Sequence, residues 1–257
     1  MLTAGSWTNE ARQTPTKGAL TFWGEWEPQS QVRRLVLEKD VHCPQWLHMP
    51  RLKLDELARL ATTTPQSCNT IGAQNTDPLV FGDRFRYVLC QQYRKSGPTK
   101  LAYLNKGDVI LFGSHVRGCF AVDTVFVVGL YAPIRHDGAL PDWESDLHRR
   151  ITMDLIEIPD WGLRLYGSEA WSQDKPFSFV PCLPAQITPR GFKRPILEPL
   201  GPLGRAISPG LKQGFKTAQF EEQDACAVWE AVVRQVTDQG CALATTIDEP
   251  DDLSSST

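Results

Sequence analysis

The chain has 257 residues, of which 41% are hydrophobic and 22% are charged, and its formal net charge is -3. This composition excludes a wholly disordered protein, and the lack of any run of about 18 apolar residues excludes a helical membrane span. The seven cysteines include no C-x-x-C pair, which favours reduced thiols. We therefore expect a cytoplasmic globular protein.

The start of the chain lacks hydrophobic periodicity. Residues 1–18 are polar, so we predict a disordered leader there. Residues 19–23 are rich in strand formers and mark the expected start of a single α+β domain that spans residues 19–246. A helix is predicted over residues 53–61, where apolar residues recur at spacings of three and four.

Residues 22–27 read Phe-Trp-Gly-Glu-Trp-Glu, which interleaves large aromatic residues with acids. In an extended segment Trp23, Glu25 and Glu27 share one face and Trp26 takes the other. Such a segment is suited to stacking on a base while its carboxylates accept hydrogen bonds from that base. Glu25 and Glu27 are also candidates for a catalytic acid/base pair. The alternative is a strand end with Trp in the core and both acids in water.

The middle of the chain predicts a β-hairpin. Residues 109–112 and 119–129 are apolar, strand-like runs, and the Gly-bounded loop 113–118 joins them. Ser114 in this loop is a candidate ligand-binding residue, as are Asp123 and Thr124, which interrupt the second strand. A buried carboxylate has to be paired, so Asp123 either faces a pocket or pins the loop or an arginine such as Arg117 or Arg164.

Residues 159–216 are punctuated by proline and glycine, which argues against long helices and central strands there. The second half of this region is basic and carries Phe192 and Phe215. It suits contact with a phosphate backbone. The predicted nucleic-acid contacts are Arg190, Lys193, Arg194, Lys212 and Lys216. The alternative is a solvated loop that packs against the acidic C-terminal helix.

The C-terminal part predicts the clearest helix of the chain. Over residues 218–240, Cys226, Trp229, Val233 and Val236 form one apolar stripe, and Gly240 is a plausible cap. Residues 247–257 are rich in acids and serine, so we predict a disordered acidic tail.

Strands outnumber helices, and the regular strand–helix alternation of doubly wound folds is missing. The fold class expected is therefore α+β, with a mostly antiparallel, barrel-like sheet and a few flanking helices, the C-terminal helix included. His42, Cys43 and His48 offer metal-ligand types, but their spacing does not match ordinary zinc sites. We predict no metal and no cofactor.

Residues 104–129, with GDVILFGS followed by FAVDTVFVV, resemble the central hairpin of PUA-like domains of the ASCH, EVE and YTH superfamily. The resemblance implies a small barrel, lined by the strand that follows the Gly-Asp turn. It also implies an aromatic-lined pocket for a modified or flipped base. Some such domains belong to nucleic-acid modification and antiphage defence systems.

Residues 163–167 followed by residues 177–179 are similar to the Arg and Ser elements of ADP-ribosyltransferases. This second resemblance implies ligand-binding roles for Arg164, Tyr166 and Ser178, with Glu221 or Glu222 as the late acid. The leading hypothesis is a protein that binds or processes a modified base, nucleotide or nucleic acid. The alternatives are a nucleotide-using transferase and a non-catalytic subunit with a protein partner.

Overall fold

The computed structural model describes most of the chain outside residues 45–73. The described residues are 2–23, 27–28, 35–38, 41–44, 74–75, 77–94, 96–116, 118–136, 138–153, 156, 158–184, 193–207 and 215–249. The strands are β1 Leu2–Thr8, β2 Thr16–Phe22, β3 Glu27–Pro28, β4 Leu35–Glu38, β5 Val41–Pro44, β6 Gln74–Asn75, β7 Arg86–Tyr87, β8 Tyr93–Arg94, β9 Gly97–Pro98, β10 Val109–Val116, β11 Cys119–Ile134, β12 Leu163–Ser168, β13 Val180–Pro184, β14 Ile196–Leu197 and β15 Ala242–Ile247. The helices are α1 Asp146–Ile151, α2 Leu203–Ala206 and α3 Glu222–Asp238, with a 3₁₀ helix at Lys100–Tyr103.

The predicted fold class is confirmed. The protein is α+β, and the strand pairings between the described elements are antiparallel. Four strands close a small barrel in the order β1, β15, β13, β2, and a separate sheet has the order β10, β11, β12, β7, with β14 added beside β11. The barrel therefore consists of strands outside the central hairpin, which belongs to the second sheet.

The start of the chain is part of the barrel, so the prediction of a disordered leader over residues 1–18 is wrong for residues 2–18. Strand β1 pairs with β2 on one side and with β15 on the other. A side chain at Gly5 would collide with the backbone of Thr246, so the close approach of β1 and β15 requires glycine there. The sequence lacked a local signal because β15 lies more than two hundred residues away in the chain.

The other end of the barrel corrects the boundary of the predicted tail. Ile247 is fully buried as the last residue of β15, and its carbonyl accepts a hydrogen bond from the backbone N–H of Gly82. The backbone N–H of Asp248 donates to the carbonyl of Ala4 at 2.8 Å. The folded chain thus continues past residue 246, and residues 250–257 lie outside the described residues.

Strand β13 of the barrel contains two prolines, although the prolines of this region argued against a central strand. Val180–Cys182 pairs with β15, whereas Cys182, Leu183 and Pro184 pair with β2. Pro181 therefore lies where the strand pairs with β15, and Pro184 where it pairs with β2. The two pairings overlap only at Cys182, so each proline lies in a stretch that pairs with a single neighbouring strand. The missing N–H of proline is therefore tolerated at both positions.

The central hairpin is confirmed, with Val109 opposite Val127 and Val116 opposite Cys119. The predicted loop over residues 113–118 is shorter than expected, since β10 continues to Val116 and includes Ser114. Strand β10 pairs with β11 alone among the described strands, so it forms an edge of the sheet.

The predicted C-terminal helix is confirmed as α3, whose buried residues include Val228, Trp229, Val232 and Val236. It packs on the sheet face that carries Val125, and the indole Nε1 of Trp229 donates to the carbonyl of Phe177 at 3.0 Å. No helix in the described part of the chain is long and apolar enough to cross a membrane. The helix predicted over residues 53–61 lies outside the described residues.

Candidate functional site

A β-bulge explains the polar pair in the second hairpin strand. Phe112 lies opposite Thr124 and Gly113 lies opposite Val122, which leaves Asp123 as the extra residue of β11. Before the bulge Val122 faces the core beneath α3, and after it Val125 does so. Alternation therefore changes phase, and Asp123 and Thr124 both occupy the opposite face of the sheet, which they share with Phe112 and Ser114.

Four residues meet on that face, and we call them the Arg194 cluster: Trp23, Ser114, Asp123 and Arg194. The Nη1 of Arg194 lies 3.0 and 3.1 Å from the two carboxylate oxygens of Asp123 and donates to the hydroxyl of Ser114 at 2.6 Å. The guanidinium carbon of Arg194 lies 4.8 Å from the centre of the Trp23 ring. A carboxylate, a hydroxyl and an aromatic face thus hold one guanidinium group.

Trp23 reaches the cluster because it directly follows the barrel strand β2. Its neighbour Phe22 is buried in the barrel core, so alternation turns Trp23 away from that core, and Trp23 is partly exposed. Glu27 lies in β3, opposite Asn75. Glu25 and Trp26 lie outside the described residues, so their predicted roles stay predictions.

The cluster revises the interpretation of Asp123 and Arg194. Asp123 is pinned by an arginine, as one alternative held, but the arginine is Arg194 rather than Arg164, and Arg117 lies outside the described residues. The Arg194 side chain is only 12% exposed and is paired with a carboxylate. Arg194, which was predicted to contact a nucleic-acid backbone, is thus engaged within the protein by Asp123, Ser114 and Trp23.

The other predicted backbone contacts fall into two groups. Lys193 is exposed beside the cluster, and Lys216 is exposed elsewhere, with its Nζ donating to the carbonyl of Ile207 at 3.0 Å. Arg190 and Lys212 lie outside the described residues.

The segment that follows the cluster docks on α3 and its C-terminal end through neutral side chains. The side-chain oxygens of Gln235 and Gln239 accept hydrogen bonds from the backbone N–H groups of Glu198 and Ile196 at 2.7 and 2.9 Å.

Arg164, Tyr166 and Ser178 make hydrogen bonds to backbone groups. The hydroxyl of Tyr166 donates to the carbonyl of Leu101 and accepts from the N–H of Leu104, both at 3.0 Å. Burial raises the pKa of this hydroxyl. Arg164 donates to the carbonyl of Leu104 at 3.1 Å, and the Ser178 hydroxyl bonds to the backbone of Val127. These hydrogen bonds join segments of the chain that are distant in the sequence.

A groove with a volume of about 640 Å³ lies on the other face of β10. Its floor includes Leu111, Gly113 and His115. One wall consists of residues 215–220 and the start of α3, and the other is the turn around the 3₁₀ helix. Lys100 and Lys216 are the cations among its lining residues, and Asp108 is the acid. Ser114 and His115 are consecutive, so the groove and the Arg194 cluster flank the same strand.

Phe215 and Lys216 are the groove residues that were singled out from the sequence as belonging to a nucleic-acid contact. His115, Phe120, Lys100 and Tyr103 were missed because they are scattered single residues. Hairpin pairing places His115 opposite Phe120, whereas Lys100 and Tyr103 come from the 3₁₀ helix. The available signal was the segment 215–220 itself, Phe-Lys-Thr-Ala-Gln-Phe, which has an aromatic residue at each end.

A second polar cluster is buried beside Phe85 and Tyr87. Arg86 lies 3.4 Å from Glu144, and Glu144 is hydrogen-bonded to the Nδ1 of the fully buried His148. Asp77 accepts the backbone N–H groups of Val88 and Leu89 at 2.8 and 2.7 Å. These four side chains are buried, and none of them lines the groove.

No group of three or more potential metal ligands occurs among the described residues. His42 and Cys43 lie in the two-stranded pair β4–β5, and His48 lies outside the described residues. Comparison of the chain with protein-family models, with curated proteins and with solved structures gives no match.

Proposed function

We propose that this protein binds a nucleobase or nucleotide, free or within a nucleic acid, at the Arg194 cluster. The observation that supports this proposal is the convergence of side chains from three distant parts of the chain: Trp23 after β2, Ser114 and Asp123 in the central hairpin, and Arg194 before β14. Bases stack on aromatic rings, and the ring of Trp23 is partly exposed beside Arg194.

The charges of the cluster suit recognition of a base better than recognition of a phosphate. Asp123 neutralises Arg194, so the pair adds no net charge to the site. Lys193, exposed beside it, supplies the charge for a phosphate. Glu25 and Glu27, two and four residues after Trp23, would accept hydrogen bonds from the amino groups of the base.

Glu25 and Glu27 would also be the acid/base pair if the protein processes the base. A role in nucleic-acid modification or antiphage defence follows from the PUA-like resemblance, and a cytoplasmic location follows from the composition and the cysteines; both stay predictions. The ADP-ribosyltransferase alternative has less support, because Tyr166 and Ser178 are engaged by backbone groups. In the interaction-subunit alternative, the Arg194 cluster only ties the end of β2 to the hairpin.

Binding of nucleotides and short labelled oligonucleotides, measured by calorimetry and fluorescence anisotropy, tests the proposal. Trp23→Leu keeps an apolar side chain but removes the flat ring, so affinity should fall by at least about fivefold, the lower limit for one stacked base. Glu25→Gln and Glu27→Gln should abolish binding while leaving the melting temperature nearly unchanged, because the amide keeps the volume and loses the charge.

Trp161→Leu is the matched control, since Trp161 is 56% exposed and lies outside the cluster. It should bind as the wild type does. The interaction-subunit alternative stands instead if the wild type binds no nucleotide or oligonucleotide. The assignment of the base site to Trp23 is wrong if Trp23→Leu and Trp161→Leu bind equally well.

A further inference from the structure

We infer that the groove on the other face of β10 binds a stretch of single-stranded nucleic acid, next to the base at the Arg194 cluster. The inference rests on the proposed function and names its ligand as a polynucleotide. A volume of about 640 Å³ lies within the range of about 300–1,000 Å³ typical of sites that enclose a ligand.

Aromatic residues line the groove on the side formed by residues 215–220. Phe215 and Phe220 stand at the two ends of the segment that forms one wall. The guanidinium of Arg94 lies over the ring of Phe215 at 5.2 Å, and that of Arg205 over the ring of Phe220 at 4.6 Å. Aromatic rings next to cations along a concave surface are typical of sites for single-stranded nucleic acid.

The charged side chains around the groove favour a polyanion at one of its two ends. Lys100 and Lys216 line it, and Arg94 adds a third positive charge beside Phe215. Asp108 is the acid of the lining, and its carboxylate accepts the backbone N–H of Asn105 at 2.8 Å. Glu221 and Glu222 are exposed just beyond Phe220, so phosphates would follow the end of the groove at Phe215.

His115 supplies an observation that does not depend on charge. Its ring contacts Phe120 edge-on, with 5.8 Å between the ring centres. Its Nδ1 is buried and has no hydrogen-bond partner among the described residues. What His115 offers to a ligand in the groove is therefore its ring surface, next to that of Phe120.

The two sites are close enough to serve one chain of nucleotides. Ser114 of the Arg194 cluster and His115 of the groove are neighbours near the end of β10, and Ala121 and Phe120 lie opposite them in β11. A single strand that passes around the end of this hairpin would reach both faces.

Titrations with a mononucleotide and with single-stranded DNA and RNA oligonucleotides, each at several salt concentrations, test this inference. Phe215→Leu should weaken oligonucleotide binding at least about fivefold, because it removes a stacking surface. Lys100→Gln and Lys216→Gln should each reduce the salt slope by about 0.7, the value for one phosphate contact with a single strand. Mononucleotide binding should stay unchanged in all three variants.

Matched controls keep the result specific. Tyr131→Leu removes a 45% exposed ring that also has an arginine over it but does not line the groove. Lys17→Gln removes an exposed lysine of β2. Both should bind oligonucleotides as the wild type does, and melting temperatures identify any variant that fails to fold. The inference is wrong if folded groove variants bind oligonucleotides as tightly as the controls.

The failure of this inference differs from the failure of the proposed function. If Trp23→Leu weakens mononucleotide binding while groove variants change nothing, the proposed function stands and the groove inference is overturned. If mononucleotides do not bind, but oligonucleotides bind and lose affinity in the groove variants, the groove inference stands and the base site at Trp23 is overturned.

Discussion

Asp123 and Arg194, 71 positions apart in the sequence, form an ion pair in which the two side chains are 3% and 12% exposed. The pair links the bulge of β11 to the segment that leads into β14. Because both charges are largely removed from water, the cost of desolvation has to be offset by their contact with each other, with Ser114 and with Trp23. The Asp123 side chain at the bulge is thus held by Arg194, a residue that belongs to neither strand of the hairpin.

Removal of one partner from this pair should be more costly than removal of both. Arg194→Met leaves the Asp123 carboxylate buried and unpaired, so the free energy of unfolding should fall by about 3–5 kcal/mol. The double variant Asp123→Leu, Arg194→Met should lose clearly less than the sum of the two single variants. Urea unfolding of all four proteins measures this, and additive losses would contradict the pairing.

Gly113 should tolerate no side chain, since it lies at the bulge beside Ala121. An added Cβ would collide with the carbonyl oxygen of Ala121 and lie 2.8 Å from Cζ of Phe120. Gly113→Ala should therefore destabilise the protein by about 1–3 kcal/mol, the usual cost of overpacking. Gly138→Ala is the control, because its Cβ meets nothing closer than 3.5 Å. Thermal unfolding that ranks the two variants equally would refute this assignment.

Asp77 should make stability depend on pH in the mildly acidic range. Burial raises the pKa of its carboxyl to about 6 from an ordinary value of 3.8, against the lowering effect of the N–H groups it accepts. The folded state then holds the proton more tightly than the unfolded state. The contribution of Asp77 to stability is therefore complete below about pH 4 and is lost as the pH rises through about 6.

Asp77→Asn isolates this effect because asparagine does not titrate. The difference in unfolding free energy between wild type and Asp77→Asn should shrink by about 2 kcal/mol between pH 4 and pH 7. Unfolding in urea at a series of pH values measures the difference. A difference that grows with pH would mean that the hydrogen bonds to Val88, Leu89 and Cys90 outweigh burial.

Deletion of residues 1–9 should abolish the cooperative unfolding transition. It removes β1, one of four strands in a closed barrel, and leaves β2 and β15 without their shared neighbour. A chain that ends at Glu249 keeps all four barrel strands and should melt close to the wild type. Melting curves followed by circular dichroism decide the matter, and an unchanged transition in the N-terminal deletion would show that β1 is dispensable.

Local pattern was sufficient for the hairpin and for α3. The apolar runs of β10 and β11 are consecutive in the chain, and the stripe of α3 repeats within one helix, so each could be recognised within a short window. The same window showed that Asp123 interrupts an apolar strand and therefore needs a partner. The unusual segment that begins at Phe22 was also visible, and Trp23 from that segment lies in the Arg194 cluster.

The tertiary structure alone decided the barrel, the partner of Asp123 and the groove. Pairing of β1 with β15 joins the two ends of the described chain, and the strand formed by Val180–Pro184 is possible only because its two neighbours overlap at Cys182. The choice of Arg194 over Arg164 depends on where β14 docks beside β11. Periodicity reports the face that a residue occupies within its own element, whereas these contacts depend on which distant element covers that face.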